Sequence, residues 1–248
     1  VDPRLKPCGR PPRGDDESEN YCFDEGVDIQ ISPVSIYEMG SSQAAIPGVV
    51  LAAGRSARYG ADNKLLLDLG GSAVIKHSLD AMLNSKAEPV YFVTGHQREL
   101  IISAIDELKD HPKLNIIDNP EWESGRASSL RLAVQSISDE AHGVVITLGD
   151  MPLMTSELID RLIDSFLETH KLTFAVLKGK KGHPIIWPRE HWNELTEISG
   201  DKTAFNLVQM LWDETERVVL SADEDCTQLD MDTPDDFERI KAAWETQQ

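Results

Sequence analysis

Residues Gly48–Gly71 read GVVLAAGRSARYGADNKLLLDLGG, and this stretch decides the fold class. Its apolar opening, Val49-Val50-Leu51, has the character of a short strand buried in a parallel sheet. The chain then enters a loop of small and basic residues that ends at Lys64 and the apolar run Leu65-Leu66-Leu67. Ala52, Ala53, Gly54 and Gly60 leave the backbone N–H groups open to a close-lying anion. Arg55, Arg58 and Lys64 add positive charge. The spacing matches neither the G-x-x-x-x-G-K-[ST] phosphate loop nor the G-x-G-x-x-G dinucleotide fingerprint. It is read as a nucleoside-triphosphate cradle of another kind, the alternative being an ordinary strand-to-helix connection with surface arginines.

The remaining composition makes that basic cluster informative. Over 248 residues the net charge is −19 and the pI about 4.7. Such a balance argues against nucleic acid and against anionic membrane surfaces, both of which require clustered Lys and Arg. No run approaches the ~18 apolar residues of a membrane span, and the start, Val-Asp-Pro, lacks a signal pattern. The three cysteines, Cys8, Cys22 and Cys226, are odd in number and far apart. Free thiols in a reducing cytoplasm are expected, with Cys8–Cys22 the one conceivable pair. The seven histidines show no H-x-H spacing and no C-x-x-C motif accompanies them, so no zinc site is expected.

Residues 1–46 stand apart from the rest. They hold five of the thirteen prolines and the acidic run Asp15–Glu19, without sustained periodicity. An extended or disordered lead-in is expected there, with Val27–Ile31 alternating like an edge strand. Residues 47–248 are expected to form the functional domain. Strands buried on both faces are predicted at Val49–Leu51, Val90–Thr94, Leu114–Ile117, Val144–Leu148 and Leu172–Leu177. Helices are predicted between them at Ala73–Leu83, Arg98–Leu108, Ser128–Ser136 and Ser156–Leu167. Further on, a strand is expected at Gly182–Pro188, with Gly182-His183-Pro184 as a turn, an amphipathic segment at Ala204–Trp212 and a strand at Arg217–Leu220. Repeated βα units imply a parallel sheet with helices on both faces and right-handed crossovers.

In such sheets the ligand crevice lies beyond the C-terminal strand ends, so the residues just after each strand matter most. They are the glycine-rich loop, then Thr94-Gly95-His96, then Asp118-Asn119-Pro120 leading to Ser128-Ser129, and finally Gly149-Asp150-Met151-Pro152. Ser128 serves equally as a helix N-cap. Asp150 has no partner nearby in sequence, and a metal ion would supply one. Near the end, Thr233 and Pro234 open a terminal helix whose positive end suits Asp235 and Asp236. Of Asp230 and Asp232, one is expected to face the site.

Assembled in this order, the motifs resemble those of the MobA-like nucleotidyltransferases, in particular the molybdenum-cofactor cytidylyltransferase branch. The residues that carry the likeness are LAAGRSARYG with Lys64, NPEWESGRASSLR at Asn119–Arg131, LGDMPL at Leu148–Leu153, GHPIIWP at Gly182–Pro188 and DMDTPDD at Asp230–Asp236. The resemblance implies a Rossmann-like three-layer αβα nucleotidyltransferase fold with a mostly parallel sheet. It implies transfer of CMP from CTP to the terminal phosphate of molybdenum-bound molybdopterin, with Mg²⁺ as cofactor and pyrophosphate released. Leu51-Ala52-Ala53-Gly54 resembles the cytidine-using form of the loop. Lys64, Arg58 and Asp150 take catalytic roles in this reading. The nucleotide falls to Leu51, Ala52, Ala53, Gly54, Arg55, Ser56, Gly60, Lys64, Gly95, Ser128 and Ser129, and the metal to Asp150 and Asp232, with Asp230 as competitor. A molybdoenzyme or its chaperone is the implied partner. Another nucleotide such as GTP, another phosphorylated acceptor, and a non-catalytic cofactor-handing role are the alternatives. Two stretches depart from the family pattern: Tyr59 in the loop, and Lys202-Thr203-Ala204-Phe205 after Gly200-Asp201.

Overall fold

The computed structural model describes residues 6–7, 21–22, 45–56, 59, 63–197 and 204–246. The chain divides into two compact units, Val1–Gln43 and Ala44–Gln248. In the first, Lys6–Pro7 pairs antiparallel with Tyr21–Cys22. The edge strand expected at 27–31 and the Cys8 half of the conceivable disulfide lie outside the described residues.

In the second unit the alternation expected from the sequence forms one seven-stranded sheet. Its strands are β1 (Gly48–Leu51), β2 (Val90–Thr94), β3 (Leu114–Asp118), β4 (Gly143–Leu148), β5 (Thr173–Leu177), β6 (Lys180–Pro188) and β7 (Glu216–Val219). They lie in the order β3-β2-β1-β4-β6-β5-β7, and only β6 runs antiparallel to its neighbours. The chain leaves β1 toward β2 on one side and returns as β4 on the other, so a topological switch point lies at the β1/β4 ends.

Consecutive side chains of the central strands enter opposite cores, which places helices on both faces. Val50, Phe92 and Val145 pack with α1 (Val74–Leu83), α2 (Arg98–Ala104) and α4 (Ser156–Thr169). Val49, Val93 and Val144 pack on the other face with α3 (Arg126–Gln135), α5 (Trp192–Thr196) and α6 (Ala204–Met210). The result is three layers, αβα. A third cluster joins the terminal helix α7 (Pro234–Thr246), through Phe237 and Ile240, to Leu69, Val74 and Met231. The expected cap of α7 is reciprocal: the Asp236 N–H donates to Thr233 Oγ1, and the Thr233 N–H donates to Asp236 Oδ2.

Four expectations are corrected. Strand β3 is an edge strand, so its side chains are only partly covered and not buried on both faces. Helix α2 stops at Ala104 and does not reach Leu108, because the N–H groups of Ile105 and Asp106 turn to the carbonyls three residues back, Ile102 and Ser103. Helix α3 begins at Arg126, which puts Ser128 inside it, not at its N-cap; the cap position is Gly125, at φ 106°. Residues 182–184 form no turn but lie within β6, at an irregularity in its pairing with β5 between Lys181 and Ile185.

Candidate active site

The residues that follow β1, β3 and β4 line one cavity of about 640 Å³, a size usual for small-ligand pockets. One rim is the glycine-rich loop. Ala52 still donates to Val93 O and extends the sheet by one residue, after which the N–H groups of Gly54, Arg55 and Ser56 find no backbone acceptor among the described residues. Ser56 adopts a left-handed φ of 55°, a backbone reversal that costs a non-glycine residue energy and recurs at ligand sites. A Cβ on Gly54 would meet nothing within 4 Å, so the open side of the loop is the cavity itself.

Three elements bring the charged centre together. Lys64 opens a 3₁₀ turn, Lys64–Leu66, that Asn63 caps by accepting from the Leu65 N–H, while the Leu65 side chain is buried. Asp150 follows the fully buried β4. Its neighbour Gly149 is clamped by a hydrogen bond to Leu51 O and by Ser78 Oγ donating to the Gly149 carbonyl. A Cβ on Gly149 would lie 2.6 Å from Ile75 Cδ1 and 3.2 Å from Leu51 O, so a larger residue there would push the Ile75 tip aside. Asp232 is fixed between the buried Met231 and the α7 cap. Lys64 Nζ donates to Asp150 Oδ2 at 2.5 Å and to Asp232 Oδ1 at 3.2 Å. Asp150, without a partner nearby in sequence, thus finds one for its Oδ2 from 86 residues away. The other oxygen, Oδ1, is buried and has no hydrogen-bond partner.

Asp230 lies close enough to feel the charges of both Asp150 and Asp232. Desolvation first, and those two carboxylates second, hold its own carboxyl above the usual range. Residues two apart on an extended segment share a side, which puts Asp230 near the site although one of the pair is expected to face it. Only Asp232 lines the cavity, however.

Of the residues expected to contact nucleotide, Leu51, Ala52, Ala53, Gly54, Arg55, Ser56, Lys64 and Ser129 line the cavity. Gly95 and Ser128 do not, and each has a structural reason to be there. A Cβ on Gly95 would lie 2.6 Å from the Trp122 Cβ and 2.9 Å from that of Ala53. Ser128 Oγ accepts from Asn119 Nδ2 and donates to Gly125 O, which ties β3 to α3. Arg58 and Gly60 lie outside the described residues. The opposite rim is Trp122, Glu123, Gly125 and Arg126, from the Asn119–Arg131 motif, none of which the sequence singles out as a ligand contact. The signals available for it were the position of this segment directly after β3 and a basic side chain in a strongly acidic protein.

On β6 the His183 imidazole is held neutral, its pKa pushed down to about 3 by desolvation first, then by Lys181 and Arg126. An unfolded histidine takes up a proton near 6.5, so as pH falls the unfolded chain is protonated first. The stability present at neutral pH is therefore lost progressively as pH drops from that value toward the folded one. Thermal melts of wild type and His183→Gln between about pH 7 and pH 5, where carboxylates stay ionised, should show the wild-type midpoint falling more steeply. Parallel slopes would contradict it.

Residues 48–218, more than half of the chain, match the family model of the MobA-like NTP transferase domain. The chain belongs to the MobA-like NTP transferase family. The crystal structure of Rv0371c from Mycobacterium tuberculosis H37Rv is similar at 29% identity and TM-score 0.69, covering 80% of this chain and 98% of that one. A manganese complex of Rv0371c is similar at 27% identity and TM-score 0.67. Among curated proteins, the bifunctional protein GlmU of Corynebacterium glutamicum (strain R) is 28% identical over 163 residues, 65% of this chain and 33% of its own. A probable molybdenum cofactor guanylyltransferase of Thermococcus sibiricus is 30% identical over 140 residues, 55% of this chain and 63% of its own. The chain thus spans about a third of the GlmU relative. The αβα sheet is the α/β nucleotidyltransferase fold of this MobA-like family. Among the described residues no helix is long and apolar enough to cross a membrane.

Proposed function

We propose that this chain is a divalent-metal-dependent nucleotidyltransferase that moves CMP from CTP to the terminal phosphate of molybdenum-bound molybdopterin, releasing pyrophosphate. The observation that carries nucleotidyl transfer is the Lys64–Asp150–Asp232 cluster opening onto the glycine-rich loop. Support for a molybdopterin acceptor comes from the motif series and from the name of the Thermococcus relative. Support for CTP comes from Leu51-Ala52-Ala53-Gly54. The guanylyl specificity in that relative's name favours GTP as the second reading.

The site fits a divalent ion. The buried, unpartnered Asp150 Oδ1 offers one ligand and Asp232 a second. Among the described residues no three acidic, histidine or cysteine side chains form a cage. Mg²⁺ suits such a site, because it takes few carboxylates and fills its octahedron with water and phosphate oxygens. When bound, the metal would offset negative charge on the phosphate oxygens. The loop N–H groups of Gly54, Arg55 and Ser56 would bind and orient the triphosphate, and Lys64 supplies a fixed positive charge beside it. An acceptor phosphate is already ionised, so no side chain has to remove a proton from it, and alignment for in-line attack supplies much of the rate.

Thermal stabilisation tests the nucleotide reading. A ligand at one hundred times its dissociation constant adds about 2.7 kcal/mol. CTP with Mg²⁺ should raise the melting temperature more than GTP with Mg²⁺, and far more than CTP alone. A larger shift with GTP would move the proposal to guanylyl transfer. No shift with either would remove it.

A further inference from the structure

We propose that Trp122, where the segment after β3 meets the glycine-rich loop, is the platform on which the base of the nucleotide stacks. The inference rests on the nucleotidyltransferase reading and deepens it by naming the residue that meets the nucleoside. Trp122 opens a 3₁₀ turn, Trp122–Ser124, which the Gly125 N–H closes by donating to the Trp122 carbonyl at 3.2 Å. Its ring leans on the His96 imidazole, with centroids 4.8 Å apart and planes tilted by 52°. It packs against the core cluster that holds Val93 and Leu130, yet it stays only partly buried, and it lines the cavity. Gly95 sets its place. A Cβ there would come within 2.6 Å of the Trp122 Cβ and 2.9 Å of the Ala53 Cβ, so the root of the tryptophan lies against the start of the loop.

Position decides which ring it serves. The polyphosphate is assigned to the N–H groups after β1, and the divalent ion to Asp150 after β4, whose Oδ1 has no partner. In the sheet, β2 and β3 lie on the other side of β1 from β4. The reacting phosphate and the acceptor that attacks it therefore lie toward β4, which leaves the side of Gly95 and Trp122 to the nucleoside. The polar groups beside the ring agree. Glu123 and Arg126 line the same rim, a carboxylate near a cation. Together they offer an acceptor and donors, as the edge of a base requires, whereas the carboxylate opposes a phosphate there. Stacking on an aromatic side chain tolerates every base, so Trp122 supplies affinity and orientation while the choice between CTP and GTP falls to other contacts. A base held in place also aligns the α-phosphate for in-line attack.

The test titrates CTP, tripolyphosphate and a free pterin, each with Mg²⁺, into the whole chain by calorimetry. Tripolyphosphate can meet the loop and the metal but carries no ring. Trp122→Leu should weaken CTP about tenfold and tripolyphosphate less than about twofold, and Trp122→Phe should recover most of the loss. Tryptophan fluorescence supplies a readout that a merely structural role would not move. CTP should quench it in wild type, and the quench should shrink in Trp122→Phe although CTP still binds. Circular dichroism and melting confirm that each variant is folded. Unchanged CTP affinity in Trp122→Leu would overturn the proposal. So would equal losses of CTP and tripolyphosphate, which would make Trp122 a prop for the loop, or a loss of pterin affinity with CTP unchanged, which would give the platform to the acceptor. If wild type binds tripolyphosphate but neither CTP nor GTP, the proposed function fails and the platform with it. CTP binding that is indifferent to Trp122 removes the platform alone.

Discussion

Asp150→Asn is expected to abolish nucleotidyl transfer, lowering turnover by several orders of magnitude while the protein stays folded. The substitution keeps the size of the side chain and its place after β4. It removes the negative charge that Lys64 Nζ meets at 2.5 Å, and it replaces one of two carboxylate oxygens that a divalent ion could share. Loss of a metal-held charge acts on the transition state, so kcat should fall with little change in the KM for nucleotide. Initial rates of pyrophosphate release, with a melt to verify folding, check it. The variant also separates catalysis from a cofactor-handing role: a protein that only passed on a bound cofactor would keep its biological activity without Asp150. Turnover within tenfold of wild type would contradict the assignment.

Lys64→Met is expected to damage both stability and rate. Lys64 and Asp150 each keep only 12% of their side-chain surface exposed, so the methionine would leave an almost buried carboxylate without its cation. Breaking such a pair from one side costs about 3 kcal/mol, which in a protein of this size lowers the melting temperature by roughly 6–12 °C. Loss of one fixed positive donor beside the developing charge lowers turnover roughly 10²–10³-fold. The double variant Lys64→Met/Asp150→Asn removes charge from both sides, so it should recover part of the lost stability and none of the activity. A thermal melt and a rate on each of the three variants decide this. A single variant as stable as wild type would show the pair to be incidental.

How much of this could be read from the sequence follows from which forces are local. Strands β1, β2 and β4 were legible because continuous apolar runs such as Val144–Leu148 are what burial on both faces demands. The crevice was legible too, since the order of βα units fixes which strand ends face it. Contacts across the chain were not. Nothing near Asp150 in sequence points to Lys64, 86 residues earlier, and their meeting depends on β1 and β4 being neighbours. Gly95 and Ser128 stand after strands as ligand-binding residues do, yet both serve packing, against Trp122 and Asn119. Conversely Trp122 and Arg126, in a segment read as turn and helix start, prove to line the cavity. A helix start two residues earlier than expected is enough to turn a supposed cap into an interior residue and its predecessors into a cavity wall. The helical reading also overran α2, where the backbone tightens after Ala104 although the apolar spacing continues through Leu108.

The central claim is that the turn after β1 holds a polyphosphate and that Asp150 holds a divalent ion beside it. The most direct measurement is a crystal structure with Mn²⁺ and a non-hydrolysable CTP analogue, the metal located by its anomalous scattering. The account predicts a manganese peak at coordination distance from Asp150, with the triphosphate against the backbone of Gly54, Arg55 and Ser56. Manganese bound away from Asp150, or a triphosphate lying elsewhere in the molecule, would contradict it.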